Sequence, residues 1–389
     1  MKPKIRFKGF EGEWKYLPFS DIVERASVSG QAGTLPGIEF EDIVSGEGCF
    51  NKNIYQKECC KYGKLFYEGD ILFGKLRPYL KNIILADFNG VAIGDFWILR
   101  SKGYDKKYLY TLVNSESFLK VANISSGSKM PRADWNLVSA TKFVVPSAKE
   151  EQKVIGKYFT SLDSQIFAST SRLASLKQMK AASLQAMFPQ KGETVPKVRF
   201  KGFEGEWKKV KFSELYERSS IKNDLSFGAD KIISVANMYF IKNSRQVDDD
   251  YLRSYNIMRL GDIAFEGNKS KDFAHGRLVE NTIGDGIVSH VFVVMKPKSK
   301  KYDLNFWKYY INNENIMGNI LIRSTKSSTM MTDLVIDDFL KESILVPSYE
   351  EQVEIGKILT SLDLQITLQT QRLEKLKQIK SACLDKMFV

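Results

Sequence analysis

Between residues 150 and 188, apolar side chains recur at Ile155, Phe159, Leu162, Ile166, Leu173 and Leu176, in steps of four, three, four, seven and three. This is a heptad seam with one polar member, Ser169, and it predicts a single long helix with a narrow apolar stripe. The stretch holds no proline and one glycine, Gly156. The pattern returns at Ile355, Leu359, Leu362, Ile366, Leu373 and Leu376, with Gln369 at the polar seam position. Met179 and Leu184, with Ile379 and Leu384, drift off the strict seam, as a helix outgrowing a coiled coil does. Pro146 and Pro347 bias the residue before each away from helix. Glu150-Glu151 and Glu350-Glu351 fall in the first turns, where the helix dipole favours negative charge. A helix of about 38 residues is roughly 57 Å long.

Such a helix cannot bury its stripe alone. Either each packs on its own globular neighbour, or the two pack on each other. The matching seams favour an antiparallel coiled coil, in which Ser169 and Gln369 could help fix register. The pair would then act as a rod between the flanking domains and leave its outer faces open to partner helices. Outside the helices the pattern shortens to strand length. Gly69-Asp70-Ile71-Leu72-Phe73 and Gly261-Asp262-Ile263-Ala264-Phe265 read as a turn followed by a strand. Residues 82–85, 96–99 and 290–294 are further strand candidates, and 108–121 and 306–322 have helix-like spacing.

The chain is a tandem duplication. The run Pro3-Lys4-Ile5-Arg6-Phe7-Lys8-Gly9-Phe10-Glu11-Gly12-Glu13-Trp14-Lys15 returns at residues 196–208 with Val198 as its single change. Glu150-Glu151-Gln152, Ile155-Gly156-Lys157, Thr160-Ser161-Leu162-Asp163 and Met187-Phe188 return 200 residues later. A period this long excludes a solenoid. Between the matched blocks the halves diverge, as expected if two domains do one kind of job on different targets. The expected fold is therefore α+β: two tandem mixed α/β domains alternating with two long helices that pair as an antiparallel coiled coil. The divisions are 1–149, first domain; 150–190, central helix and linker; 191–349, second domain; and 350–389, distal helix.

Charge adds a partner class. The 389 residues hold 58 Lys and Arg against 46 Asp and Glu, a net charge of +12. Up to Val195 the count is 28 basic to 20 acidic, and beyond it 30 to 26, so no isolated tail explains the surplus. A polyanion such as nucleic acid fits this balance. The basic residues cluster in loops after the Gly-Asp strands: Lys75, Arg77, Tyr79 and Lys81 in the first half, and Asn268, Lys269, Lys271 and Arg277 in the second. A second loop pair carries Ser128, Lys129 and Arg132, and Lys326 and Ser327. These residue types hold phosphates and read base edges. A solvated surface explains any one such loop. Loops at matching places in both repeats bring a nucleic-acid contact level with that reading.

Enzymatic signals fail one by one. The stretch from Gly69 to Leu76 resembles a P-loop but has Leu76 where a magnesium-binding Ser or Thr belongs, and Arg77-Pro78 follows. No Asn/Asp-Pro-Pro-aromatic motif for amino methylation occurs. Asp95 with Asp105-Lys106-Lys107 only faintly resembles a nuclease metal cluster. The two histidines, His275 and His290, share no motif with a nucleophile. Cys49, Cys59, Cys60 and Cys383 have no metal-binding spacing and suit a reducing compartment. No run reaches the length needed to span a bilayer and no signal peptide opens the chain, so a cytoplasmic protein with no membrane partner is expected.

Two divergent domains alternate with two near-identical heptad helices. Each helix is approached through Val145-Pro146-Ser147 or Val346-Pro347-Ser348, then Glu-Gln and Ile. With the repeated Gly-Asp-Ile strand and the Phe-Lys-Gly-Phe-Glu-Gly-Glu-Trp opening, the whole chain resembles the specificity subunit of a type I restriction-modification system. The resemblance implies two target-recognition domains, each reading one half of a bipartite, asymmetric site in double-stranded DNA. It implies that the helices, through the seam residues named above, pair and dock two methyltransferase subunits. Those subunits would bring S-adenosylmethionine and methylate adenine flipped out of the duplex. Restriction subunits, which translocate and cleave DNA, would bring ATP and Mg. The chain itself would be non-catalytic and hold no cofactor or metal. Two other readings remain open: a stand-alone site-specific endonuclease, which needs an acidic metal cluster, and a duplicated DNA-binding regulator without enzymatic partners.

Overall fold

The computed structural model of the protein describes residues 3–56, 61–124, 130–242, 248–327 and 331–388. Its packing falls into two units, Met1–Arg172 with Gln369–Val389, and Leu173–Leu368. The boundaries differ from a division into globular and helical segments, because each long helix is shared. The central helix, Lys149–Ala186, gives its first part to one unit and its last part to the other. The distal helix, Tyr349–Met387, does the reverse.

In the first unit, Lys15–Pro18 pairs antiparallel with Lys142–Val145, the strand that leads into the central helix. A four-stranded antiparallel sheet runs in the order Val23–Ala26, Phe96–Ser101, Ile71–Gly74, Ile83–Leu85. A second sheet runs Ser29–Gln31, Tyr62–Phe66, Gly90–Ala92, Gly37–Ile38, with the last strand parallel to its neighbour. The central strands of the first sheet, Ile71–Gly74 and residues 96–99 of Phe96–Ser101, are apolar because both of their faces are covered. Period-two alternation sends Ile71, Phe73, Trp97 and Leu99 into one core and Leu72, Phe96 and Ile98 into another. The second unit repeats the sheet order with Tyr216–Ser219, Val294–Pro297, Ile263–Glu266 and Arg277–Glu280. Its other sheet shrinks to Asn256–Met258 paired with Gly286–Val288, flanked by the single bridges Lys222↔Asn256 and Ile232↔Ile287.

Both Gly-Asp turns precede strands, as expected. Three other elements differ from the sequence expectation. The helical stretch 108–121 is two helices, Lys106–Val113 and Glu116–Ala122, because Ser115 caps the second through the Phe118 amide. Likewise 306–322 divides into Leu304–Tyr310 and Glu314–Ser324, with Asn313 as the cap. The strand expected over 290–294 begins at Val294, since 290–293 turn and leave only the Val293 carbonyl to accept from the Phe265 amide.

The matched blocks are the frame. Arg6 donates to both carboxylate oxygens of Glu151 at 2.6 and 2.7 Å, and Arg199 does the same to Glu351 at 2.7 Å each. Glu151 and Glu351 are fully buried, so these first-turn acids do more than answer the helix dipole: they tie each opening run to its own unit. Gln152 donates to the Pro146 carbonyl and accepts from the Asp105 amide, and Gln352 repeats this with Pro347 and Asp303. A β-carbon on Gly156 would stand 2.5 Å from the Tyr108 amide, and one on Gly356 would stand 2.9 Å from that of Phe306. Glycine lets the neighbouring helix reach the long one here.

Within each unit the two long helices run antiparallel. In the first, Tyr158 meets Cys383, Asp163 pairs with Lys380 at 2.6 Å, and the Gln369 amide donates to the Ser169 carbonyl at 3.2 Å. The two polar seam members therefore meet. In the second, Lys180 pairs with Asp363 at 2.5 Å, and Tyr309 also donates to Asp363. The helices also pack on the globular parts, so both sequence alternatives hold at once. Ile155, Phe159 and Leu162 share a core with Leu384, Met387 and Phe388. Met187 and Phe188 join Ile355 and Leu359 in the other.

Candidate nucleic-acid interface

In each unit the two candidate loops come together. Leu76 and Arg132 form an isolated antiparallel bridge, the Arg77 amide donates to the Pro131 carbonyl at 2.8 Å, and the Ala133 amide donates to Lys75 at 2.9 Å. Asn268 and Met331 form the equivalent bridge, and the Thr332 amide donates to Gly267 at 2.9 Å. A β-carbon on Gly267 would lie 2.2 Å from the Thr332 carbonyl oxygen, so only glycine permits this approach. Residues 75–81 thus join 130–133, and 267–268 join 331–332, at the ends of the buried strands Ile71–Gly74 and Ile263–Glu266. Ser128 and Lys129 lie outside the described residues.

The candidate side chains divide by what already holds them. Lys75 and Arg132 both contact Asp95, at 3.2 and 3.0 Å. Burial pushes the Asp95 carboxyl up, but these two cations more than offset it and hold its pKa below the ordinary value. Arg77 and Tyr79 are exposed. Arg77 and Lys81 both take left-handed backbone, with φ of 49° and 54°, around the short turn Pro78–Leu80. Lys81 lies 3.8 Å from Glu116. In the second unit, Asn268 donates to buried Glu266 at 2.6 Å. Arg277 donates to the Ala236 carbonyl and lies over the Phe273 ring at 4.9 Å. Those two side chains are held by the protein itself. Lys271, Lys326 and Ser327 are exposed, as is Lys269.

Asp95 and Asp105, the faint metal cluster of the sequence, serve other ends. Asp95 holds the two basic loops, and Asp105 caps a helix through the Tyr108 amide at 2.9 Å. Among the described residues no group of three metal-ligating side chains occurs. None of their helices is long and apolar enough to cross a membrane.

Burial also separates two roles expected of the seam. Ile155, Phe159, Leu162, Leu176, Ile355, Leu359, Leu362 and Leu373 are buried, and Ile166, Leu173, Ile366 and Leu376 are half-buried. Side chains packed this deeply pair elements and have little surface for a further subunit. The exposed apolar side chains of the long helices lie off the seam, among them Val154, Phe167, Met179, Ile358, Leu364 and Leu368. Sequence reading also passed over strand cations beside the loops, Arg25 and Lys64. Lone basic residues within short strands carry no motif.

Comparison with known proteins agrees with this architecture. Residues 204–378 match the type I restriction modification DNA specificity domain. The specificity subunit of the type I restriction enzyme EcoDI of Escherichia coli is 25% identical over 120 residues, which cover 29% of this chain and 27% of that protein. The MjaVIII specificity subunit of Methanocaldococcus jannaschii is 23% identical over 308 residues, covering 72% and 69%. The first of these matches thus spans about a quarter of its relative's length and the second about two thirds. The crystal structure of a type I restriction-modification S subunit from M. genitalium shares the fold over 100% of this chain and 99% of that one, with a TM-score of 0.61 at 13% identity. Residues 204–378, most of them in the second unit, therefore match a type I restriction-modification DNA specificity domain, the first unit repeats that frame, and the chain is similar to type I specificity subunits in sequence and in fold.

Proposed function

We propose that this chain is the DNA-recognition subunit of a type I restriction-modification complex and is itself non-catalytic. Each unit reads one half of a bipartite, asymmetric site. The observation that carries this reading is the stitched loop pair, built at the same place in both units and furnished with different side chains. A shared frame with different loops is what two half-sites of different sequence require. The surplus of +12 supplies the sequence-independent attraction to phosphate. Asp95 and Asp105 being otherwise engaged supports a recognition role over a stand-alone nuclease. Two methyltransferase subunits dock on the outer faces of the long helices, where Phe167, Met179, Leu364 and Leu368 are exposed. They bring S-adenosylmethionine, and restriction subunits bring ATP and Mg. These partners separate this reading from that of a regulator acting alone.

The test is single-molecule sequencing of adenine methylation in the host genome with the gene intact and deleted. One bipartite motif should lose methylation on deletion. Unchanged methylation, with the gene and its neighbours expressed, would refute the assignment.

A further inference from the structure

The two sheets of each unit place a pair of cations that the loops do not explain. In the first unit Arg25 lies on Val23–Ala26 and Lys64 on Tyr62–Phe66. The Arg25 guanidinium stands over the Trp135 ring at 4.8 Å, and Lys64 donates to the Phe96 carbonyl at 2.6 Å. Among the described residues neither meets a carboxylate at ion-pair distance. Burial, and then the charges of Lys75 and Arg25, push the Lys64 pKa down, and the Asp95 carboxylate offsets only part of this. An ammonium is thus held where positive charge is already in excess.

Strand register finds the same pair in the second unit. Arg218 is the third residue of Tyr216–Ser219, as Arg25 is of Val23–Ala26. Asn256 takes the place of Lys64, since Ala92 pairs with Lys64 where Val288 pairs with Asn256. The lysine has moved one strand over. Lys222 bridges Asn256 as Ser29 pairs with Lys64, and its ammonium lies 2.8 Å from the Asn256 amide oxygen. Ser with Lys has become Lys with Asn: the Asn256 amide donates to the Phe292 carbonyl as Lys64 does to that of Phe96, and the Lys222 ammonium lies next to it, held by Asn256 and the Ser254 carbonyl. Arg218, Lys222 and His290 line a cavity of about 310 Å³ with Ser219, Ser220 and Asn256, and no acidic residue is among its described lining.

We infer that Arg25 with Lys64, and Arg218 with Lys222, form one anion subsite in each unit, whose ligand is a backbone phosphate of the DNA that the unit reads. This rests on the recognition role proposed above. A guanidinium fork beside an ammonium is a donor set suited to phosphate. A phosphate contact positions the duplex and carries no sequence information. Its donors can stay fixed while the base-facing loops diverge, and the arginine keeps its place in both units.

The test uses the full chain assembled with its methyltransferase subunits. It is titrated with a duplex carrying the methylated motif and with an unrelated duplex, at salt from about 50 to 200 mM. Arg25→Gln with Lys64→Gln should weaken binding to both duplexes by the same factor and lower the slope of log affinity against log salt by about one, the loss of one phosphate contact. Arg218→Gln with Lys222→Gln should do the same. Loss confined to the motif duplex, or an unchanged slope in variants that melt normally, would overturn the inference. Should a glutamine pair fail to fold, Arg25→Lys with Lys64→Arg keeps both charges and should retain the slope; its loss would equally overturn the inference. A wild-type complex that binds neither duplex would instead sink the recognition role itself.

Discussion

Replacing Glu280 should stabilise the second unit, and the gain should depend on pH. Glu280 ends the edge strand Arg277–Glu280 and is 3% exposed. Neither carboxyl oxygen receives a hydrogen bond of ordinary geometry, although the Tyr302 hydroxyl lies beside them. Burial pushes its pKa from 4.5 to about 9, and the neighbouring Tyr302 hydroxyl offsets only part of this. The folded protein therefore keeps the proton at pH 7, while the unfolded chain releases it. A raised carboxyl pKa gives stability that is complete below pH 4.5 and is lost as pH rises through 9. At pH 7 the loss is about 3 kcal/mol, from some 2.5 pH units at about 1.4 kcal/mol each. At pH 5 it is under about 1 kcal/mol. The equivalent place in the first unit holds Leu85, since Ile71 pairs with Leu85 as Ile263 pairs with Glu280. Glu280→Leu and Glu280→Gln should therefore raise the melting temperature of the second unit by roughly 6–12 °C at pH 7. The gain should shrink to a few degrees or less at pH 5. Differential scanning calorimetry of wild type and variants across this range isolates the group from other titrations. A gain that is the same at both pH values, or destabilisation at pH 7, would refute the reasoning.

Further outcomes follow from the same contacts. Phe388→Ala empties a site between Tyr108 and Phe159 and should cost the first unit about 3 kcal/mol or more; Phe188→Ala should cost the second unit a similar amount, and calorimetric transitions moving in the opposite pairing would contradict the helix exchange. Arg6→Ala leaves Glu151 buried without its partner and should cost about 3–5 kcal/mol, read as a fall in the first unit's urea midpoint; an unchanged midpoint would count against the clamp. Lys75→Ala with Arg77→Ala should weaken reading of one half-site only, seen as relaxed methylation on one side of the motif; equal relaxation on both sides would speak against the loop assignment.

The long helices were legible because seven-residue periodicity accumulates over 38 residues, far longer than local noise. The Gly-Asp strands were legible because a glycine turn announces them. The helix breaks at Ser115 and Asn313 were harder to see, since apolar spacing continues across both and only the cap marks the stop. The meeting of the loops was not legible. Leu76 and Arg132 are 56 residues apart, and a single bridge joins them. The partition of charge was equally hidden. Lys75, Arg132 and Arg277 look like free cations in sequence, yet Asp95 holds two of them and the Ala236 carbonyl holds the third.

The duplication sorts residues by purpose, and the sorting runs against the first intuition that matched residues are the functional ones. Glu151 and Glu351 match because each must neutralise an arginine within its own unit. Gly156 and Gly356 match because a helix end passes too close for a side chain. Asp163 and Asp363 match because each takes a lysine, Lys380 and Lys180, from the other long helix. Each of these is satisfied inside the protein and has no unmet valence to offer DNA. Burial explains the match, so the match says nothing about a ligand. Arg25 and Arg218 break that rule. They are exposed, meet no carboxylate among the described residues, and still occupy one position in both units. The Trp135 ring accounts for a guanidinium at Arg25 alone, and no ring contact among the described residues holds Arg218, which leaves the ligand as the reason for the shared arginine.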